Sequence, residues 1–512
     1  MTDIRSPLPS TEGERALGVH RPRLARGTVL NLLGLGAPLL AGLLAIPVLV
    51  RALGTDRFGV LTIAWMITGY FSLFDLGLGR ALTQVIAARV SETGERHAPP
   101  VVWPAIGMML ALGVAGGAAL AAVTPWLVTD VLRIPAALQD ETRLALYVLA
   151  AGIPFVVMTA ALNGILAAFH EFGLLNAIRA PMGIMILVAP VLVLPWSVSL
   201  VAVALALVAV RVGAFVALVA ACRRFMPPRG AAPSTSPAGG PGIRALFGFG
   251  AWMTVSNIIS PLMVHLDRFV IGSMVSMSAV AYYATPYEVV TKAWIVPGAL
   301  VGVLFPAFSV SAGRDRERME RLFTRGSKYM ALLLFLPMLL VIAFAREGLE
   351  LWLGAEFAAN GATVMQWLAA GVFINCIAQV FFTLVQGAGR PDLTAKLHLM
   401  ELPLYLVVLW WCIGEWGIVG AAVAWSARVA LDAVLLFVVS GRLLQLRGAV
   451  VRRLALGLAA ATGALALPLV LNDTLSRAGA VIAVTAVFAL AAWRFALAAD
   501  ERERLRQLTL GR

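Results

Sequence analysis

The sequence predicts an all-α polytopic membrane protein with about fourteen transmembrane helices. Three observations carry that expectation. First, 60% of the 512 residues are apolar and 13% are charged, against about 45–50% and ~25% in a soluble domain. Second, apolar runs recur along the whole chain, each of the roughly 20 residues needed to cross ~30 Å of hydrocarbon. Third, the gaps between these runs alternate in charge. The mean hydropathy of +0.89 agrees.

In chain order, residues 1–26 form a polar tail carrying Arg5, Arg15, Arg21, Arg23 and Arg26. It lacks a short apolar core followed by a small-residue cleavage site, so the first apolar run is expected to stay as a span. Spans are expected at 27–50, 59–79, 101–128, 144–169, 172–194, 198–221, 245–272, 279–308, 329–353, 362–386, 394–414, 416–440, 453–471 and 478–497. Even-numbered gaps are basic: the sixth has Arg223, Arg224, Arg229 and Arg244, and the eighth has Arg314, Arg316, Arg318, Arg321, Arg325 and Lys328. The twelfth has Arg442, Arg447, Arg452 and Arg453, whereas the fifth and seventh carry no positive charge. Cytoplasmic loops are enriched in Lys and Arg, so even gaps and both termini are expected inside.

Residues 223–243 read as a flexible cytoplasmic linker rich in Pro, Gly, Ser and Ala. They separate an N-lobe, 27–222, from a C-lobe, 244–443. A weak internal repeat gives the same division. Gly34-Leu-Gly-Ala37 matches Gly248-Phe-Gly-Ala251, and Ala209-Val-Arg-Val212 matches Ser426-Ala-Arg-Val429, at offsets of 214 and 217 residues. An even number of spans separates the copies, so the two lobes share one orientation and are related by an axis along the membrane normal. Two extra spans, 444–498, and a cytoplasmic tail, 499–512, complete the chain.

The formal charge of +13 is explained by basic cytoplasmic loops, and no nucleic-acid partner is implied. Cys222, Cys376 and Cys412 have no Cys or His neighbour at metal-ligand spacing. The chain has no nucleotide-binding G-x-x-x-x-G-K-[ST] loop, H-E-x-x-H helix or G-x-S-x-G elbow. No catalytic residue, metal or organic cofactor is expected. The longest gap on the external side is about 15 residues, too short for a domain of its own. A membrane enzyme of glycan assembly is therefore a distant alternative.

Ionisable residues inside the spans are costly in hydrocarbon and normally face a bundle interior or a wet cavity. Span 7 carries His265, Asp267 and Arg268 roughly 7–12 Å below its outer end. Span 8 carries Glu288 and Lys292 roughly 14–20 Å down, where i, i+4 spacing lets the two pair. Tyr282, Tyr283 and Tyr287 are close by. A solute-contacting cluster and a structural ion-pair network both fit these residues. Arg428 and Asp432 are expected to neutralise each other on span 12. Arg211 has no acid four residues away on either side. Arg179, Lys396, His398 and Glu401 are expected to snorkel or to pair within a lobe. Asp75 and Arg80 flank a Gly-rich helix end and fit either a gate or a solvated terminus.

The chain resembles the polysaccharide and oligosaccharide flippases of the multidrug/oligosaccharidyl-lipid/polysaccharide (MOP) exporter superfamily. The resemblance lies in Pro47-Val-Leu-Val-Arg51-Ala-Leu-Gly54, Phe58-Gly59 and Asp75-Leu-Gly-Leu-Gly-Arg80-Ala81-Leu82. It continues in Ser256-Asn257, Leu266-Asp267-Arg268-Phe-Val-Ile-Gly272 and Gln386-Gly387-x-Gly389-Arg390-Pro391. It implies a V-shaped pair of six-helix lobes that alternate access, with spans 1, 2, 7 and 8 lining the cavity. That raises Arg51, Asp267, Arg268, Glu288 and Lys292 as substrate-binding candidates, with Asp75, Arg80 and Arg211 as gate or secondary residues. The implied substrate is a polyprenyl-diphosphate-linked oligosaccharide in the cytoplasmic (inner) membrane. Membrane lipids, a polysaccharide polymerase and glycosyltransferases are the implied partners. The alternative within the superfamily is a cation-coupled multidrug antiporter using Asp267 or Glu288.

Overall fold

A computed structural model of the chain describes residues 21–71, 78–94, 97–226, 262–446, 448–471, 473–496 and 502. Asp75, most of the 223–243 linker, the 248–251 repeat motif and Ser256-Asn257 lie outside the described residues.

Helices α1 (Arg21–Phe71), α2 (Leu78–Thr93), α3 (Val102–Trp126), α4 (Ala136–Ala168), α5 (Phe172–Val193) and α6 (Leu200–Cys222) make the first half. The second half holds α7 (262–274), α8 (Met277–Val290), α9 (Ile295–Ser311), α10 (Arg316–Ala343), α11 (Ala345–Leu353), α12 (Ala355–Gly387) and α13 (Pro391–Leu443). Two further helices follow, α14 (Gly448–Ala464) and α15 (Thr474–Ala491). Among the described residues, eleven helical stretches are long and apolar enough to cross a membrane. Two of these, in α1 and α13, each hold two of the expected spans joined at a kink. With α7, whose span is only partly described, the fold agrees with about fourteen crossings.

The kinks have local causes. Gly54 (φ 76°) breaks α1 and Gly417 (φ 56°) breaks α13, in the left-handed region that glycine enters without steric penalty. Before the first break, Pro47 lacks an N–H and leaves the Leu43 carbonyl without its helical donor. The Trp352 indole N–H fills that vacancy at 2.7 Å. A carbonyl left bare in hydrocarbon would cost several kcal/mol.

The structure corrects two boundaries. Residues 316–328, expected as a loop, are the first turns of α10, and the Asp315 carboxylate caps them by accepting the Arg318 N–H at 2.9 Å. The expected span 329–353 ends at Ala343, and residues 345–353 form the separate amphipathic helix α11. Its Ala345, Leu349 and Leu353 are buried while Leu351 is exposed.

In the first half, α4 packs against α3, α6 and α2. In the second, α12 packs against α8, α9, α10, α11 and α13, and 72% of its apolar window is buried. Only 6% of the α15 window is buried, which marks α15 as peripheral. It is held by Phe488 stacked on Phe335 (centroids 3.7 Å apart) and by Arg477, which pairs with Glu347 and donates to the Ala343 carbonyl.

Contacts between the halves gather at the end of the bundle marked by Gly54. The Ser278 N–H donates to Asp56 Oδ1 at 3.1 Å, and the Arg133 N–H donates to the Gly272 carbonyl at 2.9 Å. Gly59 lies so close to α8 that a Cβ there would fall 1.9 Å from the Met277 carbonyl oxygen. At the opposite end, marked by Arg223, several contacts tie each half to itself. Ala98 donates to the Phe225 carbonyl, Arg224 pairs with Glu171, and Arg316 donates to the Leu444 carbonyl.

This packing predicts that a disulfide will form readily in a variant carrying Asp56→Cys and Ser278→Cys. Adding Gly59→Val should lower its yield several-fold, because the valine cannot fit against the Met277 carbonyl. Gel mobility under non-reducing conditions reads the result, and an unchanged yield would mean the two halves do not close there.

Candidate functional site

The site is built on the α7–α8 hairpin. The Ser276 hydroxyl caps α8 by accepting the Ala279 N–H at 3.1 Å, and α8 turns back alongside α7. This brings Asp267 and Arg268 of α7 level with Tyr283, Tyr287 and Glu288 of α8. The helix then tightens into a 3₁₀ turn at Thr291–Trp294, just before Pro297, which cannot supply an N–H to the preceding turn. Lys292 lies in that turn.

The charges alternate along a row. Asp267, fully buried, accepts the Tyr283 hydroxyl on one oxygen and the Arg268 backbone N–H, at 2.7 Å, on the other. The Arg268 side chain is 4% exposed; its Nη2 donates to Glu288 Oε1 at 3.1 Å, and its guanidinium lies 5.0 Å from the Tyr287 ring centroid. The second Glu288 oxygen accepts Lys292 Nζ at 3.2 Å. Two carboxylates and two cations thus sum to zero, and desolvated charges so matched can persist in a low-dielectric setting. Glu288 and Lys292 pair as their i, i+4 spacing leads one to expect.

Exposure rises along the row. The Glu288 side chain is 41% accessible and that of Lys292 is 46% accessible. Aromatic rings stand beside this end of the row: Tyr287 meets Trp425 at 5.6 Å and Trp294 at 6.2 Å between centroids.

Other candidates sit apart from this row. Arg51 is exposed on α1 with no ion pair or hydrogen bond among the described residues. Arg211 lies on the α6 stripe that includes Ala204, Leu207, Ala214 and Leu218, all buried, and is itself half-buried with no acidic partner among the described residues. Arg80 lies in α2, its side chain outside the description, and Asp75 is outside altogether. No group of three His, Cys, Asp or Glu that could hold a metal ion occurs among the described residues.

Sequence spacing missed a second cluster. Arg428 does not turn to Asp432. Its Nη1 lies 3.9 Å from Glu401 Oε2 and its guanidinium 5.6 Å from the Tyr405 ring. The reason is the fold-back of α13 at Gly417, which lays residues 391–416 along residues 418–443 and brings Glu401 next to both Arg428 and Asp432.

Residues 24–311 match the family described as polysaccharide biosynthesis protein. The chain belongs to that family. One family relative, a Shigella flexneri protein named as an O-antigen transporter, is 30% identical over 414 residues, covering 81% of this chain and 96% of the relative. A Haloferax volcanii protein named as a low-salt glycan biosynthesis flippase is 25% identical over 193 residues, 38% of this chain and 41% of that protein. Among solved structures, the inward-facing conformation of a multidrug resistance MATE family transporter of the MOP superfamily is similar in fold. Its TM-score is 0.68 at 14% identity, covering 81% of this chain and 98% of that one.

The row makes unequal demands on its cations. Removing Arg268 leaves the fully buried Asp267 without its neighbouring cation and Glu288 with Lys292 alone, so Arg268→Ala should destabilise by roughly 3–5 kcal/mol. Lys292→Ala removes a half-exposed charge and should change stability by less than about 1 kcal/mol. Thermal melts of the purified protein in detergent separate the two, and equal shifts would contradict the geometry.

Proposed function

We propose that the protein flips a polyprenyl-diphosphate-linked oligosaccharide across the cytoplasmic membrane by alternating access, for export of surface polysaccharide. The glycan and diphosphate would occupy a cavity between the halves while the lipid tail stays in the bilayer. The names of the family relatives support a glycan substrate. The arrangement of charge supports an anionic one, and that observation carries the reading. The acids of the described first half lie at or near helix ends (Glu92, Asp130, Asp140, Glu141 and Glu171) or beside the Gly54 kink (Asp56). Arg211 stands near the middle of α6 without a counter-ion among the described residues. A guanidinium held this way is suited to a phosphate, which it binds by paired N–H donors. Lys292, at the accessible tip of the Asp267–Lys292 row, can exchange Glu288 for a second phosphate oxygen.

In this reading the Arg223 end, bordered by Arg223, Arg224, Arg314, Arg316, Arg390 and Arg442, faces the cytoplasm together with both termini. The Gly54 end faces outward and is shut by the Asp56–Ser278 and Arg133–Gly272 bonds. The protein would receive its substrate from glycosyltransferases and deliver it to a polymerase.

One observation favours a second reading, a cation-coupled multidrug antiporter. Glu288 is accessible and lies beside Tyr287 and its aromatic neighbours Trp294 and Trp425, a setting that also suits an organic cation.

The test is complementation of a strain lacking this protein, at equal protein level. Arg211→Ala and Lys292→Ala should each reduce surface polysaccharide several-fold, and the double variant should reach background. Wild-type export from the double variant would remove the anion-binding reading. Export that stays intact while sensitivity to organic cations rises would favour the antiporter.

A further inference from the structure

A second ionisable cluster lies in the second half, between the two limbs of α13. Glu401 and Tyr405 stand on the limb 391–416, and Arg428 and Asp432 on the limb 418–443. All four are buried: the Glu401 side chain is 2% and the Arg428 side chain 9% exposed, Asp432 is 7% and Tyr405 is 2%. The cluster takes no part in the Asp267–Lys292 row, which is already balanced.

Its hydrogen bonding does not close. Neither Glu401 oxygen meets a protein donor, and neither does Asp432 Oδ1. Arg428 Nε and the Tyr405 hydroxyl also lack partners. Arg428 Nη1 reaches Glu401 only at 3.9 Å and spends its hydrogen bond on the Met263 sulfur at 3.7 Å. Asp432 stands one turn along the limb from Arg428, and Glu401 faces the same guanidinium from the other limb. Two buried anions beside one guanidinium leave a surplus negative charge, which a low-dielectric interior does not tolerate.

Among the described residues, no cation besides Arg428 forms an ion pair with the cluster. From α7 come Met263 and Asp267, and Asp267 is held by Tyr283 and the Arg268 backbone. From the first limb of α13 comes His398, stacked on Phe382 with Arg428 as its charged neighbour. On α12, packed against α13, Cys376 is the only ionisable side chain away from the helix start. Lys328 of α10 lies over the Tyr329 ring at 4.9 Å.

We propose that Glu401 and Asp432 form a binding site for one proton. The proton converts one carboxylate to a carboxylic acid, whose O–H donates to the other carboxylate. The pair then carries a single negative charge, and Arg428 balances it. Two carboxyls sharing one proton titrate as a unit, not as separate residues. Arg428 also lies against Tyr405 and bonds Met263, one turn before Asp267 on α7. Release of the proton would therefore be felt at the root of the Asp267–Lys292 row. The site supplies a place where proton movement can be exchanged against solute movement, whether or not the solute is a glycan.

Infrared spectroscopy of the purified protein reads the bound proton directly. At neutral pH the wild-type spectrum should contain a protonated-carboxyl C=O stretch that shifts in D₂O. In Glu401→Gln and in Asp432→Asn the band should shrink by one carboxyl, because the remaining acid is then neutralised by Arg428 alone. A band of undiminished area in both variants would overturn the proposal. Should either variant fold poorly, the wild-type protein decides alone. Its band should disappear as pH is raised, by an area equal to one carboxyl per chain, and absence of any such band at neutral pH refutes the site.

Discussion

A guanidinium in hydrocarbon is tolerated only when its charge is met, and Arg268 finds that balance within two neighbouring helices. Glu288 takes its side-chain N–H, Tyr287 offers a ring face, and Asp267 accepts its backbone N–H. Asp267 is held in turn by the Tyr283 hydroxyl. These bonds fix the register of α7 against α8. That register sets the depth of Glu288 and Lys292 along the bundle. The second half can therefore carry charge near the middle of the membrane because each charge is fixed by the next. Loss of the central cation would leave the buried Asp267 charge unbalanced, which is why breaking a buried pair is far more disruptive than never having had it.

The backbone obeys the same constraint as the side chains. Each Pro or Gly that bends a helix frees a polar group, and a bilayer offers it no water. The Leu43 carbonyl opposite Pro47 is taken by Trp352, so the bend in α1 is coupled to the second half. Close approach at Gly59 lets α1 seat directly on the start of α8. The end marked by Gly54 is thus sealed by backbone-to-backbone and cap-like contacts with little side-chain bulk. Such a seal can separate as a unit when the halves rock, which suits a transporter that must open alternately to each side.

Much of this was legible in the sequence, for stated reasons. Hydropathy located the spans because the hydrocarbon thickness dictates their length. The Glu288–Lys292 pair was legible because both residues lie on one helix, where spacing alone determines contact. The helical start of α10 was not read, because its arginines and glutamates erase the apolar signal used to find spans. Asp315 three residues before Arg318 carries a capping pattern that would have revealed it. The Glu401–Arg428 contact was out of reach for a different reason. It depends on α13 folding back at Gly417, and the sequence showed an i, i+4 acid, Asp432, that was nearer along the helix but is not the partner of Arg428. Contacts across a hairpin are set by the angle and register of its bend, which single-helix spacing does not encode.

The account rests on the tip of the Asp267–Lys292 row opening into water between the halves and not into lipid. The direct measurement is labelling of a Lys292→Cys variant in a background without the native cysteines, using a charged, membrane-impermeant maleimide on vesicles of both orientations. Reaction from the Arg223 face alone, with the Gly54 face protected, is the predicted result. Failure to react from either face, combined with ready reaction toward a lipid-soluble maleimide, would place the residue against the bilayer and contradict the account.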